Sequence, residues 1–137
     1  MTTEENIQIS KKAYGDFQRG DIAAILAALD NNIEWNTPQS VGMSGAGAKK
    51  GHNQVADFFK GVAETWDFQA FDPKEYIASG DQVMVRGSYT ARSKATGRTA
   101  SAEWVHAWRF RNGKVTHFQE YTDSAVLRDA LTARAGA

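Results

Sequence analysis

Residues 102–123 read AEWVHAWRFRNGKVTHFQEYTD, and this stretch organises the rest of the chain. Trp104, His106, Trp108 and Phe110 fall on alternate positions, so in a strand they share one face. Asn112-Gly113 readily takes the positive φ angles of a two-residue hairpin loop, which places a tight turn between two long strands. Beyond the turn, Thr116, Phe118, Glu120 and Thr122 form one face, and His117, Gln119 and Tyr121 the other. If the Phe118 face turns inward, Glu120 comes beside the imidazole of His106. An aromatic wall with a few polar groups describes a small-molecule pocket, and it equally describes a core holding one satisfied histidine.

Working backwards from this hairpin, Val83, Val85, Gly87 and Tyr89 alternate as a strand closed by turns at Ser79-Gly80-Asp81 and Thr96-Gly97-Arg98. Residues 66–78 read as another strand, in which Pro73 implies an edge position or a bulge. The first half is helical. Thr2 and Glu5 have capping-box spacing, and Ser10, Ala13, Tyr14 and Phe17 continue a stripe up to Gly20. Asp21 caps a second helix with Ile22, Ile25, Leu26 and Leu29 at i, i+3, i+4 and i+7. Asn31-Asn32 breaks that pattern before a short strand, Ile33 to Asn36. Residues 37–51, rich in glycine, read as a flexible loop or lid. Asn53 then caps a third helix with Val55, Phe58, Phe59 and Val62 inward. Asp123 caps a short final helix containing Val126, Leu127, Ala130 and Leu131, after which the tail ARAGA frays.

Helices followed by a run of antiparallel strands give an α+β domain: a strongly curved, cone-shaped sheet packed by three N-terminal helices and a short C-terminal helix. The length of 137 residues suits one domain spanning 1–137. Hydrophobic residues at 42% and charged residues at 23% are ordinary for a globular chain and exclude the composition of disorder. Sixteen basic residues balance sixteen acidic ones, so nucleic acid is not an expected partner. Zero cysteines exclude thiol chemistry and fit a cytoplasmic location. The polar N-terminus lacks the pattern of a signal peptide, and no apolar run is long enough to cross a membrane. The three histidines are scattered without metal-ligand spacing, and no metal or other cofactor is expected.

Several stretches resemble the SnoaL-like polyketide cyclases of the nuclear transport factor 2-like superfamily. They are Tyr14…Phe17…Arg19-Gly20-Asp21-Ile22, Asn32-Ile33-Glu34-Trp35, Lys50-Gly51, Val55…Phe58-Phe59, Ala95-Thr96-Gly97-Arg98 and Gly113-Lys114-Val115…Phe118-Gln119-Glu120-Tyr121-Thr122-Asp123. That resemblance covers nearly the whole chain. It implies a conical α+β barrel, often a homodimer, with an apolar internal cavity for a small apolar or aromatic ligand. Ketosteroid isomerase belongs to the same superfamily, and its site needs a carboxylate base with an oxyanion hole of tyrosine and neutral aspartic acid. Here those positions carry Trp35 or Asn36, Ala13 and His106. Tyr14 lies one residue, about 100°, further round the helix. Steroid isomerisation by that mechanism is therefore not expected.

In the cyclases and in limonene epoxide hydrolase, acidic residues on late strands act as acid or base, and Glu120 stands near such a position. The candidate catalytic pair is His106 and Glu120, since an imidazole exchanges protons near neutral pH and a carboxylate beside it orients the ring. Tyr14, Trp35, Phe58, Tyr89, Trp104, Trp108 and Phe118 are the candidate substrate-binding residues, each also explicable as core. Three functions stay open: a cofactor-independent isomerase, cyclase or hydrolase; a non-catalytic ligand-binding module; and a dimerisation domain whose cavity is filled by its own rings.

Overall fold

The computed structural model describes residues 2–132; the expectation for the tail ARAGA lies outside them. Helix α1 spans Thr3–Gln18 and opens on the anticipated capping box. Glu5 N–H donates to Thr2 Oγ1 at 3.1 Å and Thr2 N–H to Glu5 Oε1 at 3.2 Å. Asp21 caps α2, Ile22–Ala27, by accepting from Ala24 N–H at 3.1 Å. The remaining elements are β1 (Leu29–Asn36), a 3-10 turn (Gln39–Val41), β2 (Ala48–Lys50), α3 (Gly51–Thr65), β3 (Trp66–Ser79), β4 (Gln82–Ser93), β5 (Thr99–Arg111), β6 (Lys114–Thr122) and α4 (Ser124–Leu131).

All six strands form one curved, unclosed sheet in the order β2-β1-β6-β5-β4-β3. The hairpin forms as its sequence implies. Asn112 and Gly113 take φ of 52° and 76°, and His106 pairs directly with Glu120, Trp108 with Phe118 and Trp104 with Thr122. A bulge between Arg109 and Phe110 shifts the register near the turn, so Val115 is buried, while Thr116 leaves the inner row and donates from its hydroxyl to Arg109 C=O at 3.3 Å. Pro73 sits on edge strand β3 beside a register shift, as a residue without an N–H requires.

Four local expectations are corrected. Leu29 belongs to β1 and not to the second helix: α2 ends at Ala27, and Leu29 continues an inward stripe only by joining the sheet opposite Val115. Asn31 and Asn32 lie inside β1, where the ladder with β6 breaks register between Leu29 and Glu34. The sheet is mixed, because β1 runs parallel to β6 while every other pairing is antiparallel. Asn53 does not cap α3. That helix starts at Gly51, whose φ of 80° lets β2 run straight into it, and Gln54 Oε1 accepts Lys50 N–H at 2.8 Å.

The glycine-rich segment is more ordered than a free loop, for its end forms β2 against β1. It also lies hard on α3: a Cβ at Gly61 would meet Ser44 O at 2.1 Å. Phe58 is only partly buried, whereas Val55, Phe59 and Val62 are buried as expected. Asp16, fully buried, is held by Lys12 and Arg19. The inner sheet face, α1, α3 and α4 enclose the core. No helix among the described residues is long and apolar enough to cross a membrane.

Candidate active site

A cavity of about 110 Å³ lies between the inner sheet face and the helices. For scale, an apolar cavity of roughly 150 Å³ holds one benzene. Its walls are largely aromatic because β5 and β6 alternate, sending rings inward and charges outward. Tyr14, Trp35, Phe58, Tyr89, Trp108 and Phe118 all line it, as do His106 and Glu120. Trp104 departs from expectation. It is 1% exposed and is not among the lining residues; its indole stacks behind His106 with ring centroids 3.9 Å apart.

His106 is buried among rings yet every polar atom on it has a partner. Its Nε2 lies 2.8 Å from Glu120 Oε2 and its Nδ1 lies 2.8 Å from the Tyr14 hydroxyl. Trp108 Nε1–H donates to that same hydroxyl at 3.0 Å. An indole N–H can only donate, so the Tyr14 oxygen accepts from it and turns its own proton to Nδ1. In the neutral ring, Nε2 then carries the proton that Glu120 accepts. The result is a directed chain, Trp108 to Tyr14 to His106 to Glu120, ending on a carboxylate at the cavity wall. Beside it, Tyr89 O–H donates to Thr122 Oγ1 at 2.9 Å and reaches Glu120 Oε2 only at 3.5 Å. Thr122 passes its own proton to Glu103 C=O at 3.0 Å.

Burial pushes the Tyr14 hydroxyl well above the ordinary tyrosine range, opposed by the Trp108 hydrogen bond. Burial raises Tyr89 as well, reinforced by the Glu120 charge. Both groups stay neutral in the folded protein at pH values where an unfolded tyrosine ionises, about 10. A raised folded value means the stability is fully present below that pH and is lost as pH climbs past it, since only the unfolded chain releases the protons. Thermal midpoints are therefore expected to fall progressively above about pH 10. Tyr89→Phe should show a shallower fall, followed by near-ultraviolet circular dichroism alongside tyrosinate absorbance; an identical slope in the variant would count against this assignment.

Some lining residues escaped the sequence reading. Thr37, Met43 and Ala46 come from the glycine-rich segment, Phe71 from bulged β3 and Leu127 from α4. For Thr37 a signal existed, since it lies two residues beyond Trp35 on the same face. His117 points outward as anticipated and pairs with Glu34 at 2.7 Å. No cluster of potential metal ligands occurs among the described residues.

Comparison with known proteins matches residues 11–118 to the SnoaL-like domain model. A solved NTF2-like protein from Burkholderia xenovorans LB400 is 36% identical, with 96% of this chain and 99% of that one covered and a TM-score of 0.87. Another, of unknown function, from Burkholderia pseudomallei K96243 is 32% identical, covers 97% and 100% and also scores 0.87. TerC, crystallised with polyporic acid, is 29% identical over 93% of this chain and 98% of its own, with a TM-score of 0.84. No curated protein matches the sequence significantly.

Proposed function

The chain belongs to the SnoaL-like family within the nuclear transport factor 2-like superfamily, and from that premise we propose that it is a single-domain, cofactor-independent enzyme moving a proton on a small, largely apolar molecule. The observation that carries this reading is the buried hydrogen-bond chain ending on Glu120. A core does not need a histidine flanked by a tyrosine and a carboxylate at 2.8 Å on each side; such a relay does position a base and its proton reservoir. Glu120 accepts the proton, His106 stabilises and orients the carboxylate, and Tyr14 holds the imidazole in one tautomer. TerC's crystallisation with a small organic acid supports small-molecule binding in this fold.

A binding module without catalysis is the second reading, and one feature favours it: His106 and Glu120 already satisfy each other inside a cavity of only about 110 Å³. A thermal-shift screen of apolar ketones, phenols, epoxides and steroids against the native protein and Glu120→Gln separates the two. Ligands that stabilise both proteins, with product only from the native one, are expected. Stabilisation without product from either would leave the binding module standing.

The same reading includes a homodimer formed through the outer sheet face. Ile77, Met84 and Tyr121 are 62%, 42% and 60% exposed. Ile77 pairs with Met84 and Met84 with Ala107, while Val105 pairs with Tyr121, so an apolar strip crosses four strands. Ion pairs flank it, Arg86–Glu75 and His117–Glu34, which is the apolar-centre, polar-rim pattern of an interface. Sedimentation equilibrium should give a dimer mass for the native protein and a protomer mass for Met84→Glu/Tyr121→Arg. A native protomer mass would exclude the dimer.

A further inference from the structure

Nearly every hydrogen-bonding proton on the cavity wall is already committed. Trp108 gives its proton to Tyr14, Tyr14 to His106, His106 to Glu120 and Tyr89 to Thr122. Trp35 Nε1–H has no partner among the described residues, and the atom is enclosed. Two polar atoms on lining residues keep unused capacity. Glu120 Oε1 accepts nothing from any described residue, as all contacts of that carboxylate run to Oε2. Thr37 Oγ1 accepts Gly47 N–H at 3.3 Å, while its own proton has no acceptor among the described residues.

Both residues line the one cavity. The parallel ladder sets Trp35 beside Phe118 and Asn36 beside Gln119. Carried one residue past its last pair, that register would put Thr37 across from Glu120, with alternation turning both inward like Trp35 and Phe118. One spare donor and one spare acceptor thus belong to the lining of the same cavity. Gly47, whose carbonyl accepts Thr37 N–H at 3.3 Å, keeps Thr37 in line after the ladder ends.

We infer that Thr37 and Glu120 form a two-point clamp for a small apolar carbonyl compound bearing a C–H next to its carbonyl, with Thr37 O–H donating to the carbonyl oxygen and Glu120 Oε1 taking the adjacent proton. This rests on the role given to Glu120 above and assigns the electrophilic partner that role lacks. The C–H bond breaks and an O–H bond forms on Oε1. The electron pair left on carbon becomes a C=C bond, and the carbonyl π pair moves onto oxygen, where Thr37 holds it. Return of the proton to carbon restores the carboxylate, with no oxidant or second reactant. Thr37 is thus a catalytic residue supplied by a segment that reads in sequence as a loop.

The test uses acetone, a ketone beside exchangeable C–H bonds that is smaller than benzene and so suits a cavity of about 110 Å³. Exchange of its α-protons for deuterium is followed by NMR in D2O, and its binding by titration. The native protein should catalyse exchange; Thr37→Val should slow it about 100-fold, the size of effect seen on removing one oxyanion donor, and Thr37→Ser should restore most of the rate. Thermal midpoints of both variants control for folding. If Thr37→Val exchanges as fast as the native protein while Glu120→Gln is inactive, the clamp is overturned and the base assignment survives. If the native protein binds acetone without exchanging its protons, the clamp is overturned and the binding module stands. Absence of both binding and exchange overturns this inference, leaving the broader ligand screen to judge the site.

Discussion

Glu120→Gln is expected to lower turnover by about 10²–10⁴-fold, the range for losing a general acid or base, with ligand affinity little changed. Glutamine keeps the volume of glutamate, and its amide oxygen still accepts His106 Nε2–H, so the chain from Trp108 through Tyr14 keeps its direction. What disappears is the negative charge and the basic lone pair on the cavity wall. The variant should therefore melt close to the native protein and bind the same ligands. Steady-state kinetics resolve the loss: kcat falls while KM stays. Native-like kcat in the variant would remove Glu120 from the chemistry. A large drop in melting temperature would instead show that the carboxylate is chiefly structural.

Trp104→Ala is expected to cost roughly 3–5 kcal/mol of stability, the range for deleting a large core aromatic. The indole is 1% exposed and wedged from two sides. It stacks on His106 at 3.9 Å and on Phe71 at 5.4 Å. Opposite it on β4, its register partner is Gly87, where a Cβ would fall 2.4 Å from Trp104 Cζ2 and 2.5 Å from Asp72 O. Backbone has closed over the ring so tightly that the void left by alanine can collapse only by moving strands. The loss also frees one face of His106, so activity should fall with stability, in contrast to Glu120→Gln. Urea unfolding with an unchanged m-value would report the loss. A cost under about 1 kcal/mol would mean the site relaxes easily, and would return Trp104 to the candidate ligand contacts.

Much of the fold was legible because short-range rules govern it. Alternation alone put Trp104, His106, Trp108 and Phe110 on one buried face, and Asn112-Gly113 named its own turn. Caps at Thr2, Asp21 and Asp123 were readable because each rests on a bond three residues away. Failures occurred where a distant partner decided. Leu29 continues a helical spacing, yet the open edge of β6 drew it into a parallel strand. Lys50-Gly51 reads as the end of a loop until β2 finds β1.

For the site, local rules alone choose the participants. An imidazole, a carboxylate and several rings share one hairpin face, since period-2 alternation and a two-residue turn leave little freedom in which side chains meet. Tertiary structure decided what they do together. Only the packing of α1 across the sheet brings Tyr14 O–H to His106 Nδ1, ninety-two residues away, and only the pairing of β1 with β6 brings Thr37 and Glu120 to one cavity. Trp104 and Trp108 look alike in the sequence, but the backbone at Gly87 closes over Trp104, while Trp108 meets both the void and the Tyr14 hydroxyl. Contacts between distant segments are chosen by how volumes fill and how buried protons find acceptors, and neither is a property of any local run of residues.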